Sequence, residues 1–69
     1  MAQQLTNALF ILRRKQVQER TGLGRSSIYA LIAKDKFPRP VQLSERSVGW
    51  RETDITTWIN SLTTKGTHE

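Results

Sequence analysis

Residues 17–34 read Val17-Gln18-Glu19-Arg20-Thr21-Gly22-Leu23-Gly24-Arg25-Ser26-Ser27-Ile28-Tyr29-Ala30-Leu31-Ile32-Ala33-Lys34. Gly22 is the pivot of this stretch. Before it, from Arg13 to Thr21, the chain has no proline or glycine and is rich in Arg, Lys, Gln and Glu, which favour helix. Its one apolar anchor is Val17, so this helix must lean on Leu12 before it and Leu23 after it. Gly22 suits the left-handed position that ends many helices, where it carries no Cβ penalty. After Gly24, Ile28, Leu31 and Ile32 recur at i, i+3 and i+4 and predict a second helix from Arg25 to about Lys34. Its opposite face carries Ser26, Ala30 and Ala33, with Tyr29 on one flank and Ser27 and Lys34 on the other. Two helices joined by Gly22-Leu23-Gly24 have the signature of a helix-turn-helix.

Outward from this pair the pattern changes. Phe37-Pro38-Arg39-Pro40 stops the second helix, because each proline lacks an N–H and drives the preceding residue into an extended conformation. Val41-Gln42-Leu43 and Val48-Gly49-Trp50 alternate around Ser44-Glu45-Arg46-Ser47. That predicts a hairpin with a four-residue loop, apolar side chains on one face and Arg46 at the tip. Such a hairpin is marginal alone and must pack on the helices. Ile55, Trp58, Ile59 and Leu62 form a third amphipathic stripe, a helix from about Glu52 to Leu62 with acids in its first turn. Leu9-Phe10-Ile11-Leu12 reads equally as a first strand or as a lead-in covering the first helix. The expected fold is mainly α with a small β-hairpin: three helices plus a two-stranded wing over residues 9–62. Residues 1–8 are read as a flexible arm and 63–69 as a flexible tail.

The chain has 69 residues, no cysteine and a formal charge of +5. At this size a single core supplies roughly 3–5 kcal/mol unless something staples it, and without cysteine neither disulfides nor thiolate metal sites are available. The absence of cysteine gives a reducing cytoplasm as the expected location. No apolar run approaches the ~20 residues of a membrane span, and residues 9–12 are too few for a signal-peptide core. Charge is concentrated in the middle. Residues 13–51 hold ten basic groups against Glu19, Asp35 and Glu45, whereas Lys65 is outnumbered by Glu52, Asp54 and Glu69 in residues 52–69. That asymmetry points to a polyanion, with a merely solubilising basic surface as the bland alternative.

Little in the sequence suggests an enzyme. His68 is the one histidine and Glu52 and Asp54 the one close carboxylate pair; at i, i+2 their side chains point to different faces of a helix. No cofactor, metal or small-molecule substrate is expected. Trp50 and Trp58 are read as core, while Tyr29 fits either core packing or a phosphate contact. A helix-turn-helix with a basic second-helix start, next to a hairpin tipped by Arg46, gives two probes of a duplex. The helix matches the major groove and the wing reaches phosphates or the minor groove. Ser26 and Ser27 lie on the first turn of the second helix, whose own N–H groups add to a phosphate contact.

The run Val17-Gln18-Glu19-Arg20-Thr21-Gly22-Leu23, then Arg25-Ser26-Ser27-Ile28-Tyr29, Phe37-Pro38, Val48-Gly49-Trp50-Arg51-Glu52 and Trp58, resembles the AlpA-type phage regulatory proteins over about residues 10–62. These are small winged helix-turn-helix DNA-binding proteins, related in fold to MerR-type domains and phage excisionases. The resemblance implies that residues 25–34 are a recognition helix and 39–51 a wing. Two positions depart from the usual pattern: Gly24 stands where a serine cap is common, and Ala30 where a longer polar or basic side chain is. The nominated DNA-binding residues are Arg25, Ser26, Ser27, Tyr29, Ala30 and Lys34 on the helix and Arg39, Arg46, Ser47 and Arg51 on the wing. The expected activity is sequence-specific binding of double-stranded DNA to regulate a prophage or integrated-element gene, with further copies on adjacent sites as possible partners. The alternatives are an excisionase-like factor that bends DNA for recombination and, from another class, an antirepressor-like protein-interaction module.

Overall fold

The computed structural model describes residues 10–64. Along the chain run β1 (Ile11–Leu12), α1 (Arg14–Thr21), α2 (Arg25–Ala33), β2 (Val41–Ser44), β3 (Ser47–Arg51) and α3 (Glu52–Asn60). Three helices, a helix-turn-helix and a β2–β3 wing make this a winged helix-turn-helix. The predicted arm lies outside the described residues, as do His68 and most of the tail.

The turn between α1 and α2 is built as the sequence implies. Gly22 ends α1 at φ 77°, and its N–H donates to the Gln18 carbonyl at 2.8 Å. The Thr21 hydroxyl donates to the Val17 carbonyl and accepts from the Leu23 N–H, which fixes the chain as it leaves the helix. Gly24 is the N-cap of α2 in an extended conformation and contributes no side-chain hydrogen bond. The far end of α2 comes about where expected, with Lys34 as its C-cap, but Asp35 and not the prolines turns the chain. The helix stops at Ala33, and Asp35 takes a left-handed φ of 60°, so the chain has already turned before Pro38. Aspartate tolerates that conformation better than most side chains. The prolines hold the segment that follows.

The wing carries a third strand. Among the described residues the strands form an antiparallel sheet in the order β1-β3-β2, with Leu12 opposite Trp50 and Ile11 opposite Arg51. The Glu52 N–H donates to the Phe10 carbonyl at 2.9 Å and extends the pairing. Ile11–Leu12 are therefore a strand, Leu9 lying outside the described residues, and the two-stranded wing expected above gains a neighbour that satisfies the far edge of β3. The hairpin loop is also tighter than predicted. Ser44 and Ser47 pair, leaving Glu45 and Arg46 as the turn.

Register also divides the apolar residues. Val41 faces Gly49 and Gln42 faces Val48, with a bulge between Gln42 and Ser44. Because side chains alternate along a strand, Val48 and Trp50 point toward the helices with Leu12. Val41, Gly49 and Ile11 lie on the other face, so the wing's apolar side chains are not all on one side as the alternation suggested. Gly49 is what lets that outer face close. A Cβ there would lie 2.5 Å from Ile11 Cγ2, 3.1 Å from the Leu12 carbonyl oxygen and 3.2 Å from Leu43 Cδ1. Gly49→Ala is expected to destabilise the domain by roughly 1–3 kcal/mol through overpacking. Urea denaturation tests this, and a variant as stable as the parent would mean that β1 can slide away at no cost.

The core is Leu12, Val17, Ile28, Phe37, Trp50 and Ile55, flanked by Leu23, Leu31, Ile32 and Trp58. Trp50 is fully buried, as expected, and its indole N–H donates to the Pro38 carbonyl at 2.9 Å. Trp58 is half-buried. It meets Phe37 edge-on at 4.7 Å and donates to the Lys36 carbonyl at 2.8 Å. The segment 36–38 belongs to no helix or sheet, and these two indoles satisfy carbonyls that secondary structure would otherwise pair. The stripe on α3 is shorter than predicted: the helix ends at Asn60, so Leu62 lies beyond it and is 56% exposed.

Candidate nucleic-acid interface

On α2 the side chains of Arg25, Ser26, Ser27, Tyr29 and Ala30 are all exposed, as is Lys34 just past the helix end. At about 100° per residue, Ser26, Tyr29, Ala30 and Ala33 share one outward face. Small side chains dominate it, so the helix backbone can approach a groove closely. Ile28 lies opposite, fully buried.

The helix starts are electrostatically unusual. The N-terminus of a helix carries partial positive charge and is stabilised by acids, each worth about 0.3–1 kcal/mol. Helix α3 follows that rule with Glu52 and Asp54 in its first turn. Helices α1 and α2 have no acid in theirs; Arg14 and Lys15 open one and Arg25 opens the other. Both helices of the helix-turn-helix thus add side-chain cations to their own positive ends. An anion placed there meets backbone N–H groups and fixed charge together.

The nominated wing residues divide. Arg46 occupies the turn and reaches a cleft of about 370 Å³ that it lines with Val48, Tyr29, Arg13, Arg14 and Lys15. Ser47 is engaged within the hairpin, its hydroxyl 2.9 Å from that of Ser44. Arg39 is held against Asp35 at 2.9 Å. Arg51 caps α3 and lies 3.7 Å from Asp54. By strand alternation Arg51 points away from the face that carries Val48. The structure thus brings Tyr29 and Arg46 together and leaves Arg39 and Arg51 beside carboxylates. Arg13, Arg14 and Lys15 join Tyr29 and Arg46 from outside the expected set, although three consecutive cations at a helix start are a signal legible in the sequence.

Comparison with known sequences agrees with this architecture. The family model described as prophage CP4-57 regulatory protein (AlpA) matches residues 10–63. The chain belongs to the AlpA family. The match begins one residue before β1 and ends just beyond α3, so it takes in every element described. A curated relative of this AlpA-family chain, uncharacterized protein ORF88 of Enterobacteria phage P4, is 42% identical over 48 residues. Those residues are 70% of this chain and 54% of the relative, so the chain spans about half the length of the relative it matches. Among the described residues no helix is long and apolar enough to cross a membrane.

Proposed function

We propose that this AlpA-family chain binds double-stranded DNA sequence-specifically and regulates transcription of a prophage or integrated-element gene. In this reading α2 enters the major groove, and the wing over residues 39–51 meets the backbone or the minor groove. The observation that carries it is the pair of acid-free, cationic helix starts within the helix-turn-helix, whose unfavourable charge a polyanion would offset. The exposed face of α2 supports it too. Apart from Tyr29 it offers hydroxyls and methyls, whereas a protein-docking face draws on aromatic or aliphatic anchors.

The test is selection of bound sequences from a random duplex pool. Enrichment of a defined site supports the reading, and a pool that returns unchanged overturns it. Two substitutions then divide the contacts. Ser26→Ala is expected to blur preference at one or two base pairs, by roughly 1–3 kcal/mol each. It should leave the melting temperature unchanged, because Gly24 and not Ser26 holds the cap position. Arg46→Ala is expected to weaken every duplex by a similar factor, as a phosphate contact does. If Arg46→Ala changes site preference while Ser26→Ala weakens all sites equally, the helix and the wing have exchanged roles.

A further inference from the structure

The cleft bounded by Arg13, Arg14, Lys15, Tyr29, Arg46 and Val48 draws on three separate elements: the start of α1, one flank of α2 and the β2–β3 turn. Four of its six side chains are cations. Among the described residues the ion pairs are Arg20–Glu52, Arg39–Asp35 and Arg51–Asp54, and none of them involves a cation of the cleft. No carboxylate lines the cleft, so these four cations share it without a counter-charge among its walls. Like charges brought together oppose folding, so their convergence has to be explained by something the free chain does not contain. The start of α1 is also braced. Arg14 Nε donates to Gln18 Oε1 at 3.2 Å, which orients the guanidinium and leaves its terminal nitrogens as donors. Gln16 Oε1 accepts from the Arg13 backbone N–H at 2.8 Å, so the turn carrying both arginines is braced. Tyr29, 40% exposed, and Val48 line the same cleft and add a phenol and an apolar side chain to it.

We propose that this cleft seats a backbone phosphodiester of duplex DNA, gripped from one side by Arg13, Arg14 and Lys15 and from the other by Arg46, with Tyr29 donating to the same group. The inference rests on the DNA-binding reading above and adds to it a second jaw. The wing acts with the first helix on one strand, and Tyr29 is a phosphate contact that carries no base information.

The experiment is a double-mutant cycle on Arg14→Gln and Arg46→Gln, read by anisotropy of a labelled random-sequence duplex across a salt series. Each single variant is expected to weaken binding while making the salt slope shallower by less than one, because the remaining cations still neutralise the shared phosphate. The double variant is expected to lose less than the product of the two single losses, because both arginines hold the same phosphate. Tyr29→Phe should weaken binding without changing the slope. Melted without DNA at low salt, Arg46→Gln and Lys15→Gln should be slightly more stable than the parent, since each relieves repulsion; if Arg14→Gln fails to fold, Lys15→Gln replaces it in the cycle. Strictly multiplicative losses would mean two independent contacts and overturn the shared seat. Unchanged affinity in both variants, with the parent still binding steeply with salt, would overturn the cleft and leave the DNA reading standing. A parent that does not bind duplex at all overturns that underlying reading. Inorganic phosphate that raises the parent's melting temperature at constant ionic strength, but not that of Arg46→Gln, while duplex binding is the same in both, would assign the cleft to a free anion and overturn the strand contact.

Discussion

Trp50→Ala is expected to leave the chain unfolded at room temperature. Trp50 is completely buried in the middle of a core of six residues, on the central strand of the sheet. Removing such a side chain costs roughly 3–5 kcal/mol in lost burial and cavity. The Pro38 carbonyl also loses the indole that satisfies it, an addition of about 1–3 kcal/mol if it stays shielded from water. Against a total stability of roughly 3–5 kcal/mol for a domain this small, nothing remains. Trp58→Ala should be milder, because that ring is half-buried and lies at the rim of the core. Circular dichroism melting orders the two variants. A cooperative transition in Trp50→Ala would mean that the sheet and the helices are held together by contacts other than this ring.

Salt is expected to have the largest effect on binding. If about five of the basic groups neutralise phosphates, log K falls with log salt at a slope near −4.5, and affinity drops about 500-fold between ~50 and ~200 mM. Titration of a duplex across that range measures the slope. A value shallower than about −2 would remove the basic middle of the chain as a DNA face.

The elements that sequence pattern revealed are those whose signals are local. Gly22 announces the turn because a left-handed residue after a helix demands little else of its surroundings, and Ile28, Leu31 and Ile32 mark the inner face of α2 by spacing alone. The sheet was less legible. A strand of two residues, as in β1, has no period to detect, and it forms because β3 offers an unpaired edge distant in sequence. The bulge beside Leu43 displaced the register, so alternation within β2 and β3 could not tell which apolar residues share a face. At the candidate interface, the outward side of α2 followed from its inward side. The division of arginines did not, because it depends on carboxylates: Asp35 holds Arg39 only after adopting its unusual turn, and Arg51 meets Asp54 across the start of a helix. Arg13, Arg14 and Lys15 gain meaning only when folding sets Arg46 opposite them, from more than thirty positions away.

The two indoles that hold the carbonyls of Lys36 and Pro38 act as rivets on the strut between α2 and β2. With that strut fastened at both ends, the distance from helix to wing is a property of the free molecule, as in a caliper locked at one setting. A duplex engaged by both must conform to that spacing, so the strain of any misfit falls on the nucleic acid. Sequences whose grooves already have the required width, or deform to it easily, would be favoured at base pairs that no side chain touches. Substitutions on the outward face of α2 can then retune which bases are read without disturbing the gauge, whereas a change at either tryptophan alters the gauge itself.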